Sequence, residues 1–356
     1  MSEPLNVDDF EAAARERLEP GPYAYYAGGA GDEHTLRANS AAFTRWELRP
    51  RVLVDVSDVS TETTVLGTHV ELPLLVAPTA FHRLAHPEGE LATARAAAAA
   101  GTVMCLSTLS SVSPAELAAA APGAPQWFQL YCSRDRGFTK ELVGAVGDAG
   151  FRALVVTVDV PVAGRRERDL RTEYALPDDL PAPNLPVVLA RKDFHAALSA
   201  IVDSTLTWRD LEWLRSISPL PLVVKGVLTA EDALLAAEHG AAGIVVSNHG
   251  GRQLDGVPAA LDVLPEVAEA VGERVEVLVD GGIRRGTDVL KALALGARAA
   301  LAGRAVLWGL AAGGEEGVVQ VLTLLRDEIA SGLMLLGCAR PDDVTRTHVR
   351  PAGPSV

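Results

Sequence analysis

The run SNHGGRQLD, residues 247–255, sets His249 and Arg252 three positions apart with Gly250 and Gly251 between them. Glycines let the backbone turn sharply, so a proton acceptor and a planar cation come to face one small volume. Histidine exchanges a proton near neutral pH, and arginine grips a carboxylate in bidentate fashion. Together they suit the removal of a proton from a molecule held by its carboxylate. Two further turns, VDGGIRRG (279–286) and AGRA (302–305), each carry an arginine. Backbone N–H groups, a helix start and a guanidinium can together enclose a phosphate. Lys225 ends an apolar run and has three readings: a buried lysine paired with a carboxylate, an imine-forming nucleophile as in an aldolase, or a fixed cation beside a cofactor ring. The third fits its polar surroundings best. His82 and His86 stand four apart, but Pro87 follows and no third ligand is evident, so they read as structural and no metal is expected.

Short strands must position these groups. From Leu74 onward, β-branched runs alternate with Ala- and Leu-rich helical runs, the pattern of a parallel sheet. Strands are predicted at Leu74–Ala77, Val103–Ser107, Gln126–Tyr131, Ala153–Asp159, Leu222–Lys225, Gly243–Ser247, Glu276–Asp280 and Ala299–Ala302. Helices are predicted to begin near Pro87, Ser113, Asp135, Thr207, Thr229, Pro258, Gly286 and Ala305. Eight such units predict an α/β fold, the (β/α)₈ TIM barrel, with an open doubly wound sheet as the alternative. LVVKG, GIVVSN and EVLVDGG fit strands buried on both faces.

A barrel of this kind gathers its chemistry at the C-terminal strand ends. There the sequence puts Thr79, Ser107, Gln129 with Tyr131, Thr157 with Asp159, Lys225, Ser247 with Asn248 and His249, Asp280, and Gly303 with Arg304. Leaving so many polar groups unpaired would be costly, so a large polar ligand is expected in the mouth. Residues 1–70 are expected to cap the barrel formed by residues 71–356, helical to about Asn39 and extended thereafter. The proline-rich stretch 161–205 is long enough to act as a lid.

At 356 residues, 48% apolar and 22% charged, the chain has the composition of a folded protein. A net charge of −14 argues against nucleic acid as a partner, since phosphate-backbone binding needs basic patches. Cys105, Cys132 and Cys338 are odd in number and lack metal-type spacing, so neither a disulfide framework nor zinc is expected, and a reducing cytoplasm is. The acidic, amphipathic N-terminus is unlike a signal or transit peptide. The uncharged stretch 96–115, rich in small residues and holding Pro114, reads as a helix end followed by a strand and not as a membrane span.

In the same order over nearly the whole chain, YYAGGAGDE (25–33), APTA (77–80), HPEGE (86–90), FQLY (128–131), TVDVPVAGRRERD (157–169), VKGV (224–227), SNHGGRQLD, LVDGGIRRGTDVLKALALGA (278–297) and AGR (302–304) resemble the FMN-dependent (S)-2-hydroxy acid oxidases. That group includes glycolate oxidase, lactate oxidase, mandelate dehydrogenase and the 4-hydroxymandelate oxidases. The resemblance implies FMN as cofactor and oxidation of a small 2-hydroxy acid to a 2-oxo acid. Electrons would pass to O₂, giving H₂O₂, or to another acceptor in a dehydrogenase. It further implies that His249 is the base, held by Asp159, that Arg252 and Arg166 bind the substrate carboxylate, and that Tyr25 and Tyr131 hydrogen-bond the carboxylate and the reacting hydroxyl. Ala77, Pro78, Thr79, Ser107, Gln129, Thr157, Lys225 and Ser247 would line the flavin ring and ribityl chain. Asp280, Gly281, Gly282, Arg284, Gly303 and Arg304 would take its ribityl and phosphate end. A homotetramer is the group's habit.

Departures from the glycolate-oxidase pattern concern the substrate. Leu109, in LSTLSSVS, stands where that enzyme has a tryptophan, and Phe81 and Ala305 differ as well. The run looks like the hydroxymandelate oxidases, so a bulkier, mandelate-like acid is expected, with Leu109 and Phe81 at the substrate. The lipophilic insertion of membrane mandelate dehydrogenases is absent. Two rival readings are a class I aldolase or sugar-phosphate isomerase using Lys225, and a non-catalytic phosphate-binding barrel. A base facing a carboxylate clamp argues against the latter.

Overall fold

Strands that are apolar on both faces need cover on both sides, which a closed parallel barrel wrapped in helices provides. The computed structural model describes residues 4–185, 198–199 and 201–353, and it contains such a barrel. Its strands are β1 (Leu74–Val76), β2 (Met104–Ser107), β3 (Gln126–Leu130), β4 (Ala153–Thr157), β5 (Leu222–Val227), β6 (Gly243–Val246), β7 (Glu276–Asp280) and β8 (Ala299–Ala302). They pair in parallel around a closed ring, β8 returning to β1, which removes the open-sheet alternative.

Leu75, Cys105, Trp127, Val155, Val223, Val245, Leu278 and Leu301 pack together as the barrel interior. Val65 and Val70, from a hairpin of Thr63–Val65 and Thr68–Val70, join that cluster. Leu66 in the hairpin turn donates its N–H to Glu276 at the start of β7, so the hairpin closes the end opposite the strand tips. A second, larger apolar shell lies between strands and helices. Fully burying one such side chain contributes about 1.5–3 kcal/mol.

The strand ends depart from expectation by about two residues. β3 and β4 stop at Leu130 and Thr157, leaving Tyr131 and Asp159 just beyond the ladder. β5 instead runs on to Val227 through a register shift after Lys225. Gly226 sits in that bulge at φ +112°, and a Cβ there would lie 2.7 Å from the Asp159 side chain. The irregularity makes room for Asp159.

Helix starts follow their caps. Asp135 accepts from the N–H groups of Gly137 and Phe138 ahead of helix Arg136–Asp148, Ser113 and Glu116 cap Pro114–Ala120 reciprocally, and Thr229 caps Ala230–Glu238. The last helix, Arg304–Leu336, is broken at Gly313 and Gly314. The uncharged stretch 96–115 is the end of helix Gly89–Ala99 followed by β2. No helix among the described residues is long and apolar enough to cross a membrane.

Before the barrel come helices Val7–Arg17, Pro20–Ala27 and His34–Ala42, so helical structure extends slightly past Asn39. A short strand, Trp46–Leu48, then pairs antiparallel with Val349–Pro351. Of the stretch read as a lid, residues 186–197 and 200 lie outside the described residues. The described part includes helix Glu167–Arg171 and Asn184, whose amide donates to Ser110 Oγ (2.7 Å) and the Val112 carbonyl (3.0 Å).

Candidate active site

One cleft at the strand tips encloses about 1060 Å³, open solvent at its mouth included, room for a cofactor-sized ligand. His249 follows β6 in a left-handed conformation (φ +58°), and Gly250 and Gly251 continue it at +62° and +75°. Asn248 fixes this turn by exchanging amide hydrogen bonds with Asn39, each 2.8 Å, and by accepting from the Gly251 N–H. His249 Nδ1 lies 2.9 Å from Asp159 Oδ1, and the Tyr131 hydroxyl lies 3.4 Å from Nε2.

Burial lowers the pKa of His249; Asp159 opposes this, and Lys225 adds to it. Burial would raise the Asp159 pKa, but His249 and Lys225 outweigh it and hold the carboxyl below its usual range. A neutral imidazole oriented by a carboxylate is a proton acceptor. Burial also raises the Tyr131 pKa, so that hydroxyl keeps its proton.

Two guanidiniums line the same cleft as His249. Arg166 is 5% exposed, and its pKa falls to about 10 through burial and the nearby charge of Arg252. Its Nε has no partner among the described residues. Arg252 donates to the carbonyls of Tyr25 (2.6 Å) and Gly28 (2.9 Å) and stands over the Tyr25 ring at 5.1 Å. Arg166 is buried and Arg252 half-buried, and although Asp169 lies 3.9 Å from Arg166, the two neighbouring cations still repel, so a second anion between them is favoured. The site therefore favours a carboxylate.

Lys225 donates to Ser247 Oγ (2.9 Å) and pairs with Asp280 at 3.1 Å. Burial disfavours its charge, but Asp280 and Asp159 more than restore it, so its pKa is raised. Lys225 is thus both a buried, paired lysine and a fixed cation. A charged ammonium is a poor nucleophile, which weighs against the aldolase reading.

The cofactor fit is tested by polar atoms left over around Lys225. Gln129 Nε2, Thr157 Oγ1 and Asp280 Oδ1 are buried without a partner among the described residues. Such atoms are costly unless a ligand satisfies them. A donor, a hydroxyl and an acceptor arranged around a cation match the carbonyl oxygens and N–H of a flavin ring and the hydroxyls of its ribityl chain. Ser107 contributes to the same wall by donating to Gln129 Oε1 at 3.1 Å. Ala77, Pro78 and Thr79 border the cleft from β1.

At the other end, Gly281 and Gly282 turn with φ +96° and +84°, and a Cβ on Gly282 would meet the Asn39 carbonyl at 2.3 Å. Gly303 and Arg304 open the last helix. Arg304 is tied to the carbonyls of Tyr26, Gly28 and Gly250, and burial with the charges of Arg252 and Arg284 lowers its pKa to about 9. Arg284 faces Asp8 and Glu11 at 3.8 and 3.7 Å. Clustered cations beside glycine turns and a helix start suit a phosphate dianion.

Three expected site residues do not line the cleft. Asp159 stands behind His249 and Ser247 behind Lys225, each in hydrogen-bond contact at 2.9 Å. Phe81 is fully buried in the outer apolar shell at φ +52°, its carbonyl accepting from the Tyr26 hydroxyl at 2.5 Å. The expectation that Phe81 meets substrate is therefore corrected. Leu109 does border the cleft, 5% exposed. His82 is buried between Thr79 and Thr93 at 2.6 and 2.9 Å. Sequence reasoning missed Tyr26, Ala80, Val160, Leu198, Gln253 and Ile283, all on the cleft wall. Most are apolar loop residues with no chemical signature, but Gln253 adjoins Arg252 and could have been found.

The family model described as FMN-dependent dehydrogenase matches residues 14–351. An L-lactate oxidase from Nostoc sp. is 52% identical over 97% of both chains. Glycolate oxidase 1 of Zea mays is 49% identical over 98% of this chain and 96% of its own. A solved mandelate oxidase with (S)-4-hydroxymandelic acid superposes with TM-score 0.94 at 45% identity, covering 99% of this chain and 100% of that one. With the barrel, the base and carboxylate pair and the flavin-sized polar cleft already in place, these matches show that the chain belongs to the FMN-dependent dehydrogenase family.

Proposed function

We propose that the chain oxidises (S)-2-hydroxy acids to 2-oxo acids with FMN as cofactor and O₂ as electron acceptor. The observation that carries this is the His249–Asp159 contact of 2.9 Å, set in a cleft with two cations for a carboxylate. Arg166 and Arg252 bind and orient the acid, with Tyr25 at the carboxylate. Asp159 holds the His249 ring with Nε2 free, and Nε2 takes a proton while the hydroxyl-bearing carbon loses two electrons. Tyr131, 3.4 Å from Nε2, orients the hydroxyl. FMN, when bound, would supply the two-electron acceptor, and its reoxidation by O₂ would give H₂O₂, the two protons being those the substrate loses from its hydroxyl and its carbon. Gln129, Thr157, Lys225 and Asp280 would hold the ring and ribityl chain, and Arg284, Arg304 and the Gly281–Gly282 turn the phosphate. A dehydrogenase with another acceptor is the alternative, and absence of peroxide during turnover would favour it.

The substrate we propose is bulky and mandelate-like. Leu109, Val160, Leu198 and Ala80 offer an apolar wall, and leucine in place of an indole leaves room for a ring. Burying a phenyl group there contributes about 2–3 kcal/mol, or roughly 30- to 150-fold in specificity over glycolate. Comparing kcat/KM for mandelate, lactate and glycolate in wild type and Leu109→Trp, with peroxide quantified, tests this. Wild type should prefer mandelate, and the variant should lose most of that activity while sparing the small acids. A wild-type preference for lactate or glycolate contradicts the substrate reading.

We further propose that residues 1–70 act as a cap, since Tyr25 and the carbonyls of Tyr25, Tyr26 and Gly28 complete the site, and that the 161–205 stretch serves as a lid. A cytoplasmic homotetramer is the assembly we propose, open to test by light scattering.

A further inference from the structure

Gln253, in SNHGGRQLD, lines the cleft but belongs to neither base nor clamp. Gln253 spends its amide on a single neighbouring segment. Nε2 donates to the carbonyls of Asp159 and Val162, both at 2.9 Å, and Oε1 accepts from the Gly164 N–H at 3.1 Å. That segment begins with the carboxylate that orients His249 and runs on to Arg166. The two loops lie backbone to backbone: a Cβ on Gly164 would meet the Arg252 carbonyl at 2.3 Å and the Gln253 carbonyl at 2.7 Å.

We propose that Gln253 is a positioning residue for the reaction, joining the loop that carries the base to the loop that carries Asp159 and Arg166, so that the base contact and the carboxylate clamp are set together. The inference rests on the roles proposed above for His249 and Asp159. Asp159 lies beyond the end of β4, whose last ladder bond is Val158 N–H to the Lys225 carbonyl at 3.0 Å. From there Gln253 supplies the donor for its carbonyl. Asp159 Oδ2 has no partner among the described residues, so the carboxylate's orientation depends on its backbone and on His249.

The charged and titratable groups facing His249 are Asp159 from the β4 loop, Lys225 from β5, Asp280 from β7, the Tyr131 hydroxyl after β3, and Arg252 and Arg166 beside the cleft. Asp280 is paired with Lys225, so Asp159 is the anion that supports protonation of His249 directly. If Asp159 withdraws, the surrounding cations dominate and His249 becomes a weaker base.

The test compares Gln253→Met, of similar length but without the hydrogen bonds, and Gln253→Asn, polar but one methylene too short. Both are expected to retain FMN and to lose roughly 10- to 100-fold in kcat/KM, part of the 10²–10⁴-fold a positioned base provides. The acid limb of the pH profile should move to lower pH, and KM should rise through Arg166. In an Asp159→Asn background, Gln253→Met should move the limb no further, since coupled residues are non-additive. An unmoved limb, a fully additive shift in that background, or loss of FMN from both variants would overturn the proposal. Near-normal turnover in His249→Asn overturns the underlying assignment and this inference with it. A collapsed His249→Asn beside an unmoved limb in Gln253→Met overturns the inference alone.

Discussion

Burial and Lys225 together outweigh the support of Asp159 and hold the His249 pKa below its usual range, which favours the neutral ring. In the proposed role His249 works deprotonated, so protonation would inactivate it. A lowered pKa moves that inactivation to a more acidic pH than free imidazole, near 6.5, would show. The acid limb of kcat/KM for a hydroxy acid should therefore lie below pH 6.5, with activity flat above it until another group titrates; a limb above that value contradicts the electrostatics. At this scale the sequence was legible wherever a polar residue ended an apolar run. Thr157, Lys225 and Asp280 were found that way, because a polar side chain next to a buried strand calls for a partner. Phe81 was misplaced because its neighbour in sequence, Ala80, reaches the cleft while Phe81 turns left-handed into the outer shell. Asp159 contacts His249 as the resemblance implied, whereas Ser247, expected to line the flavin, lies behind Lys225. Residue type reveals the chemistry but not which layer a side chain occupies.

Elements were legible to the extent that their signals are local. Ser113, Asp135 and Thr229 cap their helices where side-chain acceptors meet free N–H groups. Strand ends were displaced because the turn toward the mouth depends on contacts between loops, as at Gly226 and Asp159. The N-terminal cap and Tyr25 were expected at the site, Tyr25 through the resemblance, but the contacts that bring those helices there, Asn39–Asn248 and Arg252–Tyr25, span more than 200 residues of chain and have no local signal. The turn after β7 is the element whose failure would be most informative. Gly282 turns at φ +84°, and a Cβ there would lie 2.3 Å from the Asn39 carbonyl oxygen, so Gly282→Ala must shift that backbone. The variant is expected to fold with a loss of about 1–3 kcal/mol and to release FMN at concentrations where wild type retains it, as measured by flavin fluorescence after dilution. Unchanged retention would mean that the turn does not hold the phosphate end.

At the scale of the whole molecule, ring closure gives the site its character. A parallel barrel points every strand tip at one volume, so residues from Tyr25 to Arg304 meet in one cleft although they are scattered along the chain. The interior cluster beneath, with Trp127 and Val223 fully buried, is a packed floor with little freedom to move. The alternation of strands and helices made this closure legible, because eight buried strands with short connections have few other arrangements. Electron transfer from a hydroxy acid in that cleft is the central claim, and it can be read without coupling to any later step. Purified protein carrying FMN is mixed anaerobically with (S)-mandelate, (S)-lactate or glycolate, and the flavin absorbance is followed in wild type and His249→Asn. Wild type should bleach with at least one acid and regain its colour when air is admitted. His249→Asn should hold its FMN yet bleach roughly 10²- to 10⁴-fold more slowly. Bleaching at the same rate in both proteins, or a wild type that no 2-hydroxy acid bleaches, would contradict the assignment.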